Sequence, residues 1–410
     1  FIMMKDFEGI RFDGQYGVYQ HTNGSDIANV IKTAAAASPT PQLYGLPAGS
    51  IWNGGQAEAT MVYGANSANG KGNITAYAGY RHVNPILEGD RDYSSCTLNS
   101  GASFAAAGCG GSGTAFPARV GSNVVDITNP NGNTFRTRDA SRDLYNFGPL
   151  NYYQRPDARY MLGSFAHYEI TPWAETYMDA MFMDDVSKYQ IAPGGIFAGT
   201  FSINCANPFL SAQQKGLMAA TAASGGGTCA TNPTGTFTGT VARRNIEGGG
   251  RQGETHHQQY RFVVGMKGDI TESWNYDASV QYGHVAFNQG KTGFFRTSAI
   301  QNALNVVNNA AGQPTCVSVI NGTDPACVPY NIFQLGKVTP AALNYLQTPS
   351  YDGGHLTEKI ATFALTGKLD EYGVRSPLAQ NGVAVSVGAE YRSEALDYAA
   401  DYVAAAGLLN

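Results

Sequence analysis

YRFVVGMKGDITESWNYDASVQYGHVA, residues 260–286, alternates apolar and polar side chains on both sides of one polar turn. Tyr260, Phe262, Val264, Met266 and Ile270 alternate with Arg261, Val263, Gly265, Lys267 and Asp269. After Thr271-Glu272-Ser273, the residues Trp274, Tyr276, Ala278, Val280 and Tyr282 alternate with Asn275, Asp277, Ser279 and Gln281. Period two sends the two sets to opposite faces of a strand. A short turn between arms whose apolar residues are all even-numbered puts both apolar sets on one face of a hairpin. Each arm exceeds the roughly 9–11 residues with which a tilted strand crosses a bilayer. One face greasy and aromatic, the other charged, is the pattern of a transmembrane β-barrel wall.

The composition fits that reading. Charged residues are 14% of the chain, against roughly 25% in an average soluble protein. Aromatic residues reach 11%, led by 24 Tyr and 19 Phe, and there are 50 Gly in 410 residues. The net charge of −5 argues against a nucleic-acid partner. No run of about 18 apolar residues offers a transmembrane helix. With a mean hydropathy of −0.22, a helical membrane protein is a poor fit, but barrel strands average out in a hydropathy window.

Working outward, the same alternation marks further strands. Ile10, Phe12, Tyr16 and Val18 begin the first, 56–65 form the second and 74–81 the third. The segments 152–170 and 173–185 make a less clean hairpin, because Phe165 and Met181 interrupt its polar side. Residues 358–369 and 383–392 complete about nine wall strands, the expectation being an all-β, antiparallel, partial barrel. Short turns near 67–71, 171–172, 271–273 and 371–381 alternate with long connections at 21–55, 84–145, 186–255 and 289–355. That rhythm is typical of outer-membrane barrels with extended outer loops, and compact soluble domains rarely carry several structureless connections of this length. Trp173 and Trp274 follow two of the short-turn strands, where an interfacial aromatic girdle is expected.

Six cysteines fall as close pairs, Cys96 with Cys109, Cys205 with Cys229 and Cys316 with Cys327, each within one long connection. Sequential pairing closes short loops at small entropic cost and predicts three disulfides and an oxidising compartment; free buried thiols are the alternative. The opening Phe1-Ile2-Met3-Met4-Lys5 and the ending Leu408-Leu409-Asn410 read as the limits of an internal fragment.

Signals for chemistry are sparse. His256-His257 lacks a third ligand at metal spacing, and the pairs Asp184/Asp185 and Asp90/Asp92 read as solvated acids. Gly225-Gly226-Gly227 and Gly248-Gly249-Gly250 lack the Lys-Ser/Thr of a phosphate loop. No catalytic constellation is found, and no cofactor or metal is expected. The polar residues expected to line a lumen are Arg11, Asp13, Arg81, Gln259, Arg261, Lys267, Asp269, Asp277, Gln281, Glu390 and Arg392. With Arg155, Asp157 and Arg159, the residues Arg81, Arg261 and Lys267 are the polar ligand candidates. Among loop aromatics that could stack on a ligand (Tyr44, Trp52, Phe104, Phe116, Phe197, Phe209 and Tyr330), Trp52 and Tyr330 are the leading ones.

Asn151-Tyr152-Tyr153-Gln154-Arg155-Pro156-Asp157-Ala158-Arg159-Tyr160, His167-Tyr168-Glu169-Ile170, and Ala180-Met181-Phe182-Met183-Asp184-Asp185 resemble segments of TonB-dependent outer-membrane receptors. So do Glu88-Gly89-Asp90-Arg91-Asp92-Tyr93-Ser94 and Gly388-Ala389-Glu390-Tyr391-Arg392. The likeness covers most strands and the strand-proximal ends of the long connections. It implies a plugged barrel of 22 strands, with residues 1–7 the end of the plug and 8–410 the first part of the barrel, roughly thirteen strands and the TonB box lying elsewhere. It further implies uptake of a scarce bulky solute, a complex carbohydrate or a ferric siderophore, driven through the TonB complex across the outer membrane. A passive porin-like channel is the alternative.

Overall fold

The structure, a computed structural model, describes residues 6–103 and 106–409; the expected plug segment is therefore described only from Asp6 on, and Phe104 lies outside the described residues. Nine long strands form one antiparallel sheet: β1 (Gly9–Thr22), β2 (Ser50–Asn66), β3 (Gly72–Val83), β4 (Asp157–Thr171), β5 (Ala174–Pro193), β6 (Gly250–Asp269), β7 (Trp274–Thr292), β8 (Ser350–Lys368) and β9 (Ala384–Ala400). They lie side by side in chain order, and β1 and β9 each pair on one side only among the described residues. The sheet is an open meander. All the short connections fall at one end of it and all the long ones at the other.

The hairpin 260–286 forms as its alternation dictates: Phe262 faces Tyr282, Val264 faces Val280 and Met266 faces Ala278 across β6 and β7. Register carries this apolar set across the whole sheet. Phe12 lies opposite Met61, Tyr80 opposite Tyr160, Leu162 opposite Phe182, Met178 opposite Val264, Ala278 opposite Phe363 and Leu365 opposite Val387. Among the described residues these side chains touch one another across the strands, as Tyr80 and Tyr160 do at 4.8 Å, but no second layer covers them. Phe262 is 49% exposed, Val264 54% and Val280 59%.

Several strands run further toward the long-connection end than alternation predicts. β2 starts at Ser50 rather than at 56, β5 continues to Pro193, β6 starts at Gly250 and β7 reaches Thr292. Above the apolar band both faces turn polar, as in Glu254-Thr255-His256-His257-Gln258, so the hydropathy signal fades. The backbone ladder needs no apolar side chains and continues, His256 pairing with Asn288 and Lys188 with Glu254.

The long connections are not structureless. Strands Gly195–Asn204 and Thr236–Arg244 join Arg119–Val120, Asn123–Val125 and Phe135–Thr137 in a second, five-stranded sheet. Helices Thr297–Leu304 and Pro340–Leu346 belong to the same unit, whose core includes Val120, Phe201, Ile203, Val241, Phe295, Ile300, Tyr330, Phe333 and Leu346. Nearly all the buried apolar side chains described belong to the long connections and few to the nine-stranded sheet. The expected disulfides form, Cys96–Cys109, Cys205–Cys229 and Cys316–Cys327, the last two within this core. We call the unit the lid. Its strands are short and pair between connections far apart in sequence, as Val241 does with Val120, so no local periodicity announces it.

Candidate functional site

The polar face of the large sheet is built in rows, because antiparallel register sets one residue from each strand side by side. One row runs through Arg81, Arg159, Asp185, His257, Phe287, Gly354 and Tyr398, from β3 to β9. Arg159 Nε donates to Asp185 at 2.8 Å, and its Nη2 lies 3.8 Å from Asp157. At the other end of the row three rings make a shelf: His257 stacks on Phe287 at 6.2 Å and Phe287 on Tyr398 at 5.9 Å. Gly354 lies between Phe287 and Tyr398 in the row. The row thus joins a charge-balanced cluster of forked donors and carboxylates to a flat aromatic surface. Forked donors beside carboxylates suit polar groups, and ring faces suit apolar ones.

Nearer the short-turn end the rows turn into a continuous polar ladder. Arg261 Nε donates to Gln281, Gln281 Nε2 to Glu358, and Arg392 lies against Glu358, Glu390 and Glu394. Lys267 pairs with Glu175 at 3.2 Å. Tyrosines fill the positions beside glycine. Tyr77 lies over Gly163, Tyr177 over Gly265 and Tyr189 over Gly253, each so close that an added Cβ would collide with the ring. Having crossed the bare backbone of β6, the Tyr177 hydroxyl donates to Asp277 on β7 at 2.6 Å. Phe165, which interrupted the polar alternation of β4, stacks on Tyr77 at 6.0 Å.

The structure brings together Arg81, Asp157 and Arg159 of the candidate residues. Arg155 lies at the lid end, its guanidinium 5.8 Å from the Tyr189 ring centre. Arg261 and Lys267 belong to lower rows and are occupied within the ladder. Two expectations are corrected. Trp52 is not in a loop but in β2 opposite Gln20, on the apolar face with Tyr16 and Val18, and 67% exposed there. The ladder extends past the apolar pattern, and a bulge at Gly54-Gly55 shifts the register and turns the even-numbered Trp52 to that face. Tyr330 is 0% exposed and stacks on no ligand: it packs in the lid core, and its hydroxyl donates to Asn245 and accepts from the buried Arg243. The sequence reading missed Tyr189, Phe287, Tyr398, Lys291 and Asp352, because polar neighbours hid the upper strands. Continued odd-numbered alternation through Asp185, Ser187 and Tyr189 is the signal that could have revealed the first.

At the junction of lid and sheet five side chains alternate ring and cation. Arg244 lies between Tyr145 at 4.9 Å and Phe197 at 4.8 Å; Arg251 lies between Phe197 at 4.9 Å and Phe294 at 5.3 Å. A bulge near Ile196 and Gly199, with Ala198 at φ 52°, aims Phe197 into this stack. Burial first, and then the neighbouring Arg251, lower the Arg244 guanidinium to about 10. The acidic pairs are likewise taken up. Asp90 accepts from Asn53 and from the Leu87 amide. Asp92 accepts from the Ser25 amide and faces His21 Nε2 at 3.2 Å. Burial opposes its ionisation, but the Ser25 bonds and His21 outweigh it and hold the carboxyl at about 2. Asp184 faces His256 at 3.0 Å on the outer side of the sheet.

No protein-family model matches the chain, and no curated protein matches it.

Proposed function

We propose that the nine-stranded sheet is part of an outer-membrane β-barrel wall and that the protein takes up a scarce, bulky solute in a TonB-dependent manner. The observation that carries this reading is the apolar face, which runs across nine antiparallel strands with Lys359 beside Tyr282 as a charged exception and is left uncovered by the described residues. Exposed apolar area of that extent is unfavourable in water, whereas a bilayer covers it without cost. With about 3.3 Å per residue, the shortest of these strands, the 12 residues of Gly72–Val83, is about the length of a tilted crossing. The lid then lies outside the cell, where disulfides persist, and the polar rows face the lumen. Asn73 Nδ2 donates to the Phe7 carbonyl at 2.8 Å, and Asp6 lies 3.1 Å from His167. Both partners are on the lumen side, which supports a chain entering the lumen just before β1, as a plug would require. A carbohydrate or a ferric siderophore is the solute class in view.

Two measurements test this on the whole gene product in outer membranes. Spin labels at Phe262, Val264 and Tyr391 should be quenched by lipid-soluble oxygen, and labels at Gln281 and Thr362 by an aqueous nickel chelate; equal water access on both faces would refute the wall. In cells, accumulation of radiolabelled oligosaccharide or ferric siderophore should stop on adding a protonophore. Equilibration that ignores the protonophore would mean a passive channel.

A further inference from the structure

At the lid end of the lumen face, Arg155, Tyr189, Arg251 and Lys291 gather from four successive stretches of the wall. Tyr189 covers Gly253, whose partner on β7 is Lys291; Arg155 lies 5.8 Å from the Tyr189 ring centre, and Arg251 sits opposite Ile191, two residues along the same pair of strands. The carboxylate beside Lys291 is Asp352, engaged by Lys291 at 2.8 Å and by the Tyr398 hydroxyl at 3.0 Å. Arg251 spends Nε on the Ala192 carbonyl at 3.0 Å. Its two terminal nitrogens, the whole Arg155 guanidinium and the Tyr189 hydroxyl have no hydrogen-bond acceptor among the described residues. Three cations gathered about one carboxylate raise one another's energy, and forked guanidinium donors match a planar or tetrahedral oxyanion.

From this geometry we infer that the Tyr189 cluster is an oxyanion site and that the solute is an acid, bearing a carboxylate, sulfate or phosphate. The solute half of the inference rests on the uptake reading above; the site does not. The aromatic shelf of His257, Phe287 and Tyr398 lies four residues further down the strands, about 13 Å away. The favoured solute therefore pairs its acid group with a ring face at about that distance. A neutral oligosaccharide lacks the group that this cluster is built to hold.

The test uses the full-length protein in detergent free of lipopolysaccharide, with citrate as the probe and chloride at matched ionic strength as the reference. Citrate should bind saturably by titration calorimetry and raise the melting temperature. Arg155→Gln, which alters an exposed side chain outside any core, should weaken citrate at least tenfold, and Arg251→Gln more. Arg375→Gln, the same charge change in the opposite turn, should leave citrate affinity as it was. No citrate binding, or equal weakening by Arg155→Gln and Arg375→Gln, would overturn the site. Citrate binding with the expected Arg155 dependence, in a protein that shows no energy-dependent uptake, would remove the transporter and leave the oxyanion site standing.

Discussion

The Tyr177–Gly265 pair shows how a single residue shapes the polar face of the sheet. A glycine in a strand interior costs stability by itself, yet here it lets a tyrosine ring lie across one strand and reach a carboxylate on the next. The ring restores the packing that glycine gave up. Gly265→Ala forces Tyr177 off this position, loses its bond to Asp277 and should destabilise by about 1–3 kcal/mol, the usual range for overpacking. Tyr177→Phe, which keeps the ring, should cost only about 1 kcal/mol. Urea unfolding in detergent micelles measures both. Equal losses in the two variants would show that the hydroxyl, and not the ring on the glycine, carries the effect. Of the candidate residues, Arg81, Asp157 and Arg159 were legible because their alternation survives in the sequence; Tyr189 was not, since the strand bearing it reads as polar loop.

At the level of the element, each strand carries an apolar and a polar face, and its alternation records both. Val264 and Ser279 sit one row apart on neighbouring strands, with opposite orientations. Val264→Lys places a cation on the apolar face and, in a bilayer, should cost about 2–4 kcal/mol. Ser279→Lys lies on the polar face beside Thr362 and should cost less than 1 kcal/mol, as surface changes generally do. Reversible folding into lipid vesicles compares them. Similar costs for the two lysines would be incompatible with a lipid-facing side.

At the scale of the molecule, the chain divides its labour between a wall with almost no core and a lid that holds nearly all of it. The lid is tied to the wall through the Tyr145–Arg244–Phe197–Arg251–Phe294 stack and by close packing where Gly194 meets the Gly293 carbonyl. The lid has its own hydrophobic core, so it should lose order without unravelling the sheet. Replacing Cys205 and Cys229 by Ser opens a cross-link of sequence separation 24 and should cost the lid about 2–4 kcal/mol. Limited proteolysis should then cut between residues 205 and 236 first, while the 250–292 hairpin stays whole. Simultaneous cleavage of both would mean that lid and wall unfold as one unit.

The sequence by itself determined about nine strands and the side faced by each residue within the clean apolar alternation, and it favoured sequential cysteine pairing, because period two and short connections are local facts. Only the tertiary structure decided that the long connections fold into a lid, that Tyr330 is core and Trp52 lies on the apolar face, and that Arg155, Tyr189, Arg251 and Lys291 meet. Those outcomes depend on pairing between segments a hundred residues apart, such as Val120 with Val241, and on glycines whose missing side chains let distant rings approach. Neither leaves a periodic trace along the chain.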